Sequence, residues 1–171
     1  MQYREAYTIL SKEYAYDSSD MDALNNMAHA CSQLNMRQES FRIFMRMLTI
    51  DSTRPFVWIS LGMWYQEGNE HNNAIRCFNR LISMYPNDPY GYSNRATSEL
   101  ELGETRKALK DINHSIELKS TNAYAYWTRA KVWLKKGNQK KACEDLNTAE
   151  KLRFTALYGN SVQELKEKHC K

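Results

Sequence analysis

Glycine and proline are scarce. Six Gly and three Pro in 171 residues leave no stretch able to serve as a flexible linker, and each sits where a turn or a close helix contact is expected. No apolar run approaches the roughly 18 residues of a membrane-spanning helix, and no apolar segment follows Met1 as a secretory leader would. Low-complexity tracts are absent as well. The chain is therefore expected to be soluble and cytoplasmic by default, with export reserved for a longer protein that carries a leader upstream. Four cysteines, Cys31, Cys77, Cys143 and Cys170, include no pair at the two-to-four spacing of a zinc site, so no metal is expected. The four histidines, His29, His71, His114 and His169, fall in different parts of the chain, and His29 and Cys31, two apart on a helix, point in different directions. There is no glycine-rich phosphate loop and no nucleophile elbow. Neither catalytic residues nor a cofactor are expected, and the chain reads as non-enzymatic.

Periodicity fills the space left by these absences. Ala6, Ser40, Ala74, Ala108 and Ala142 recur every 34 residues, the mark of a supersecondary unit that cannot bury its apolar face alone and stacks on its neighbours. Bulky residues at Leu24, Trp58, Tyr92 and Tyr126 keep the same beat, each followed four residues later by a small one, Ala28, Gly62, Ala96 or Ala130. Apolar series run through Leu10, Phe44, Phe78, Ile112 and Leu146, and through Tyr16, Ile50, Met84, Leu118 and Leu152. Spacings of four are helical, and Gly68, Gly103 and Gly137 stand where a first helix would end in a left-handed residue before a second begins. Pro55 and Pro89 suit a first helical turn, and Pro86 suits a helix end. Small residues such as Gly62 with Ala74, or Ala96 with Ala108, let the two helices of a unit close to roughly 8 Å.

The second unit, with Trp58, Leu61, Gly62, Tyr65, Ala74, Phe78 and Pro86, resembles the tetratricopeptide repeat signature at the same offsets. The resemblance implies an all-α, right-handed superhelix of stacked antiparallel hairpins, an α-solenoid, with repeats at 21–54, 55–88, 89–122 and 123–156. Residues 1–20 read as the second helix of an earlier repeat whose first helix is absent, and residues 157–171 as a capping helix, its Leu157, Val162 and Leu165 at helical spacing. Gly68 falls one residue earlier than the signature places it, and the first unit is the most degenerate.

The resemblance further implies that the first helix of each unit lines a concave groove. Helical period then places Asn25 and His29, Phe56, Ile59 and Met63, Tyr90 and Asn94, and Tyr124, Trp127, Lys131 and Lys135 on that surface. An aromatic stripe of Phe56, Tyr90, Tyr124 and Trp127 has the composition of a peptide-binding site, while Trp58, Tyr92 and Tyr126 already supply the adjacent core column. Some family members clamp a peptide's terminal carboxylate with Lys, Asn and Arg. Asn94 matches one clamp position, but Ile59, Met63, Tyr124 and Thr128 replace the others, so that clamp is absent.

Arg95 and Arg129 stand where the signature has Leu, and each is followed sixteen residues later by an acid, Asp111 or Asp145. A buried arginine needs such a partner, so structural ion pairs are expected, in preference to an anion site. Cys31 and Cys77 occupy inward positions as small apolar residues. A bridge between Cys143 and Cys170 is left open; it would tie down the cap and point to an oxidising compartment. Charge is polarised: residues 1–102 hold 9 Lys plus Arg against 12 Asp plus Glu, residues 103–171 hold 15 against 8, and the whole chain is +4. Lys131 and Lys135 would thus steer an acidic segment to the C-terminal end of the groove. The expected function is a non-enzymatic protein-interaction scaffold that holds a partner peptide or segment in its groove. Two rivals are a nucleic-acid module that stacks bases on the same aromatics and an assembly subunit that self-associates through the N-terminal half-repeat.

Overall fold

A computed structural model describes Arg4, Thr8 and residues 19–170. Arg4 and Thr8 are helical, and the Thr8 hydroxyl donates to the Arg4 carbonyl at 2.8 Å. Ala6, Leu10 and Tyr16, which carry the register of the expected half-repeat, lie outside the described residues. Ten helices follow: α1 (Met21–Gln33), α2 (Arg37–Ile50), α3 (Pro55–Glu67), α4 (His71–Met84), α5 (Pro89–Glu101), α6 (Thr105–Leu118), α7 (Ala123–Lys135), α8 (Gln139–Lys151), α9 (Phe154–Tyr158) and α10 (Ser161–His169). The first eight form four antiparallel hairpins stacked into a right-handed superhelix, with α1, α3, α5 and α7 side by side.

Local sequence sets each first helix. Asp20 accepts from the amides of Asp22 and Ala23, and Asp88 from those of Tyr90 and Gly91, which satisfies orphan donors of the first turn. Pro55 and Pro89 open α3 and α5, where no amide is needed. The bulky column reaches back to the preceding linker: Trp58 Nε1 donates to the Ser52 carbonyl at 2.8 Å, and the Tyr92 hydroxyl to that of Pro86 at 2.9 Å.

Small residues close the hairpins. Ala28, Ala74, Ala96, Ala108, Ala130 and Ala142 are fully buried. A Cβ on Gly62 would collide with the ring of Phe78, so the α3–α4 crossing requires glycine there. Ser40 takes the alanine's place in the first hairpin and satisfies its hydroxyl across it, on the Ala28 carbonyl at 2.9 Å.

The first-to-second helix turns depart from the sequence expectation once. Gly103 and Gly137 adopt φ of 81° and 74°, but Gly68 has φ of −85° and the left-handed residue is Asn69 at 58°. Asparagine tolerates that conformation. Gly68 is small for a different reason, since the Arg37 guanidinium occupies the space its Cβ would need.

The C-terminal cap also departs from expectation, being two helices rather than one. Arg153 ends α8 with φ of 62°, and Gly159, at 83°, separates α9 from α10. Phe154 and Val162 are the buried side chains of this cap, whereas Leu157 is 67% exposed and takes no part in its packing stripe. Cys143 of α8 and Cys170 just beyond α10 form a disulfide, while Cys31 and Cys77 are buried free thiols. Burial pushes those two thiols up to about 11 and about 12.

Candidate functional site

The surface lined by α1, α3, α5 and α7 differs along its length. At its N-terminal end a cleft of about 110 Å³ opens between α1 and α3, lined among others by Asn25, His29, Ser60, Met63, Trp64 and Glu67, with Phe44 of α2 behind. Met63 is 46% exposed, a large apolar side chain held in solvent beside polar neighbours. Trp64 is only 7% exposed, and its buried Nε1 has no acceptor. Its ring is fixed from several sides: Arg37 lies 3.8 Å above the centroid, Phe41 stacks at 5.4 Å, and Phe44 and Tyr65 meet it edge-on at 6.5 and 5.1 Å. A rigid ring with an unmet donor at a cleft is a ready partner for an acceptor. Trp64 belongs to none of the repeating columns, so periodicity alone could not single it out. The signal available was the local crowding of Phe41, Phe44, Trp64 and Tyr65 around Arg37.

Phe56 packs against the core of the first two hairpins, and Ile59 is half-buried. Further along, Gln66 of α3 donates to the Asn94 carbonyl at 2.9 Å and to Ser98 Oγ at 2.8 Å, bridging to α5. Asn94 itself is buried, and one N–H of its side-chain amide goes to the Tyr90 carbonyl of its own helix. Tyr90 is exposed, with its hydroxyl accepting from Lys119 Nζ at 2.7 Å and the same ammonium 5.0 Å from its ring.

At the C-terminal end the chain covers its own groove residues. Trp127 stacks on Phe154 at 5.3 Å and lies 5.4 Å from Tyr124, which lies 5.6 Å from Tyr158. Tyr124 and Trp127 were expected to face a ligand; instead they seat α9, because their apolar faces are what the short helix can bury. The two lysines are engaged as well. Lys131 Nζ is 3.1 Å from Glu101 Oε1 and 4.7 Å from the Trp127 ring, and Lys135 Nζ donates to the Leu100 carbonyl at 2.9 Å. The open part of the surface is therefore the N-terminal two-thirds, from Asn25 to Tyr90.

Away from the groove, both arginines of the repeat column are paired. Arg95 Nε and Nη2 lie 2.5 and 2.9 Å from the two Asp111 carboxylate oxygens, and Arg129 meets Asp145 at 2.8 and 2.7 Å. Each arginine also donates through Nη1 to an asparagine of the preceding hairpin, Asn79 at 2.7 Å or Asn113 at 2.9 Å. Glu99, one turn after Arg95, is buried with Oε2 unpartnered. Burial and the adjacent Asp111 carboxylate push its carboxyl up to about 7, against the opposing pull of Arg95.

Residues 59–88 match the sequence profile of the tetratricopeptide repeat. That segment is a tetratricopeptide repeat, and the chain as a whole has the tetratricopeptide-repeat fold. Among solved structures, this tetratricopeptide-repeat chain is similar to MamA (residues 41 to the end) from Desulfovibrio magneticus, at 15% identity and a TM-score of 0.70 over 90% of this chain and 86% of that one. A second MamA crystal structure gives 17% identity and a TM-score of 0.69, with 90% of each chain covered. The Cut9–Hcn1 assembly of the APC/C gives 16% identity and a TM-score of 0.78 over 88% of this chain and 29% of that chain. At such identities the likeness is one of fold. No curated protein sequence matches the chain. The tetratricopeptide-repeat fold is a scaffold for protein–protein interaction, and no described helix is long and apolar enough to cross a membrane.

Proposed function

We propose that this chain is a non-enzymatic scaffold whose concave surface holds a segment of a partner protein at its N-terminal end, across α1, α3 and the start of α5. The cleft at Met63 and Trp64 is the observation that carries this reading: an exposed apolar side chain and a buried, unsatisfied indole donor adjoin one cavity. A peptide supplies both an apolar side chain and backbone carbonyl acceptors, so it answers both needs at once. Asn25, His29, Ser60 and Glu67 around the rim would hydrogen-bond its backbone and set its direction. Ile59, Phe56 and Tyr90 extend the contact toward the middle of the array.

The N-terminal assignment departs from an acidic ligand drawn to the C-terminal lysines, since Lys131 and Lys135 already have partners. Met63→Asp tests the reading. It places a charge in the cleft at an exposed position, so the melting temperature should stay within a degree or two while a protein partner recovered from native extract is lost. Arg80→Ala, on an exposed face of α4, should retain the partner. Recovery that survives Met63→Asp unchanged would remove the cleft from the interaction.

A further inference from the structure

The asparagines that receive the buried arginines form a column of their own: Asn79, Asn113 and Asn147, 34 residues apart. The first two are occupied. Asn79 accepts from Arg95 and Asn113 from Arg129, each arginine arriving from the first helix of the following hairpin and lying beside an aromatic ring, Tyr92 at 5.6 Å or Tyr126 at 5.3 Å. No hairpin follows α8 among the described residues. Beyond the short α9, helix α10 does not keep the repeat's register: Gln163, which that register would bring to Asn147, instead accepts from Thr155 Oγ1 at 2.8 Å. Asn147 is exposed and lines a cleft of about 520 Å³ between α8 and α10, with the Cys143–Cys170 bond in its wall.

A second column changes at the same place. Three residues before each asparagine stand Arg76, Lys110 and Glu144, so the only acid in the series falls beside the vacant asparagine. Residues three apart share a helix face. In the filled seats the carboxylate comes from the arginine's own hairpin, Asp111 or Asp145; at α8 Glu144 supplies it from the same helix. Of the lysines around this cleft, Lys166 is neutralised by Glu150 at 2.6 Å, which leaves Lys140, one turn before Glu144 on α8, as the other.

We propose that the cleft between α8 and α10 seats an arginine side chain presented by another protein, its guanidinium donating to Asn147 Oδ1 and to the Glu144 carboxylate. The seat is separate from the concave surface and does not depend on it. A guanidinium fits because it donates from several directions in one plane, which lets one group meet an amide oxygen and a carboxylate together, as Arg95 and Arg129 do within the chain.

The test is titration of the isotopically labelled full chain, followed by nuclear magnetic resonance, with N-acetyl-arginine amide as probe. The Asn147 side-chain amide and the Glu144 region should shift saturably. N-acetyl-citrulline amide, of similar shape without the charge, should bind at least about tenfold more weakly, as expected for losing a charge-assisted hydrogen bond. Glu144→Lys restores the cation of the other repeats and should abolish the response; Asn147→Ala should weaken it about tenfold. Both positions are exposed, so the melting curves should not move, and Glu144→Gln, which removes only the charge, must weaken binding even if the lysine variant perturbs folding. Absence of a saturable shift, a shift that survives Glu144→Lys, or a stronger response to N-acetyl-glutamate would overturn the proposal, the last by assigning the cleft to an anion held by Lys140 and Lys166.

Discussion

Arg95 and Arg129 sit on a helix stripe that is apolar in the second repeat, where Leu61 fills the same place. Each is largely shielded from solvent and held in a fork by its aspartate and an asparagine, which is what makes a guanidinium tolerable there. The aspartates were legible in the sequence from their constant spacing; the asparagines were not, because they belong to the preceding hairpin and only stacking brings them in. Asp111→Ala should therefore destabilise by about 3 to 5 kcal/mol, since it strands a shielded cation, whereas Arg95→Leu with Asp111→Ala should cost much less. Chemical denaturation of the three proteins decides it, and equal losses in the single and double variants would count against the pairing. Glu99 adds a pH dependence of definite sign. Its folded carboxyl titrates at about 7 against an ordinary value of 4.5, so between these values the unfolded chain releases the proton first and is favoured as pH rises. Stability from this group is thus lost from about pH 4.5 up to pH 7 and flat above. Glu99→Gln should remove the loss, gaining about 3 kcal/mol over the native chain between pH 4 and pH 8; parallel stability–pH curves for the two proteins would show the carboxyl to be ordinary.

Helices were easier to read than their ends. Every first helix begins where Asp20, Arg54, Asp88 or Asn122 precedes it, and alternation of bulky and small residues at four-residue spacing identifies each hairpin. The turn at Gly68 escaped because a glycine was read for its backbone freedom when what it provides is space beneath the Arg37 guanidinium. The cap escaped because Leu157, Val162 and Leu165 mimic one amphipathic stripe, while Gly159 breaks it and Phe154, at the place of the repeat's proline, turns into the Trp127 ring. That short cap depends on its tether. Helix α10 has nine residues, too few to persist alone, and only Val162 of it is buried. Cys143→Ser opens a loop whose ends are 27 residues apart and should cost about 3 to 4 kcal/mol on the chain-entropy account. Thiol counting on the denatured, unreduced chain should find two reactive groups, those of Cys31 and Cys77; a count of four would show that the bond is not formed.

Across the whole molecule, the excess positive charge and the open part of the concave surface lie at opposite ends. The half up to residue 102 is net −3 by 9 minus 12, and the remainder +7 by 15 minus 8. An elongated array keeps such ends apart, because each hairpin touches only its neighbours. Lys136, Lys140 and Lys141 gather around the α7–α8 turn, with Lys141 lying 4.6 Å from the Trp133 ring, while the cleft at Met63 is bordered by Glu67 and is lined by no lysine or arginine. Partner binding through that cleft should then depend weakly on ionic strength: raising salt should alter the association rate through the distant positive end and leave dissociation nearly constant. A nucleic-acid ligand would behave differently, releasing counterions with every phosphate contact, so its affinity would fall linearly and steeply on logarithmic axes. Affinity measured at several salt concentrations with the native chain and with Lys136, Lys140 and Lys141 changed together to Gln separates the two. For a peptide held at the N-terminal cleft, the triple variant should slow association by a few-fold with little change in dissociation; a large loss of affinity, together with a steep salt slope in the native chain, would move the binding surface to the basic end and exclude the cleft.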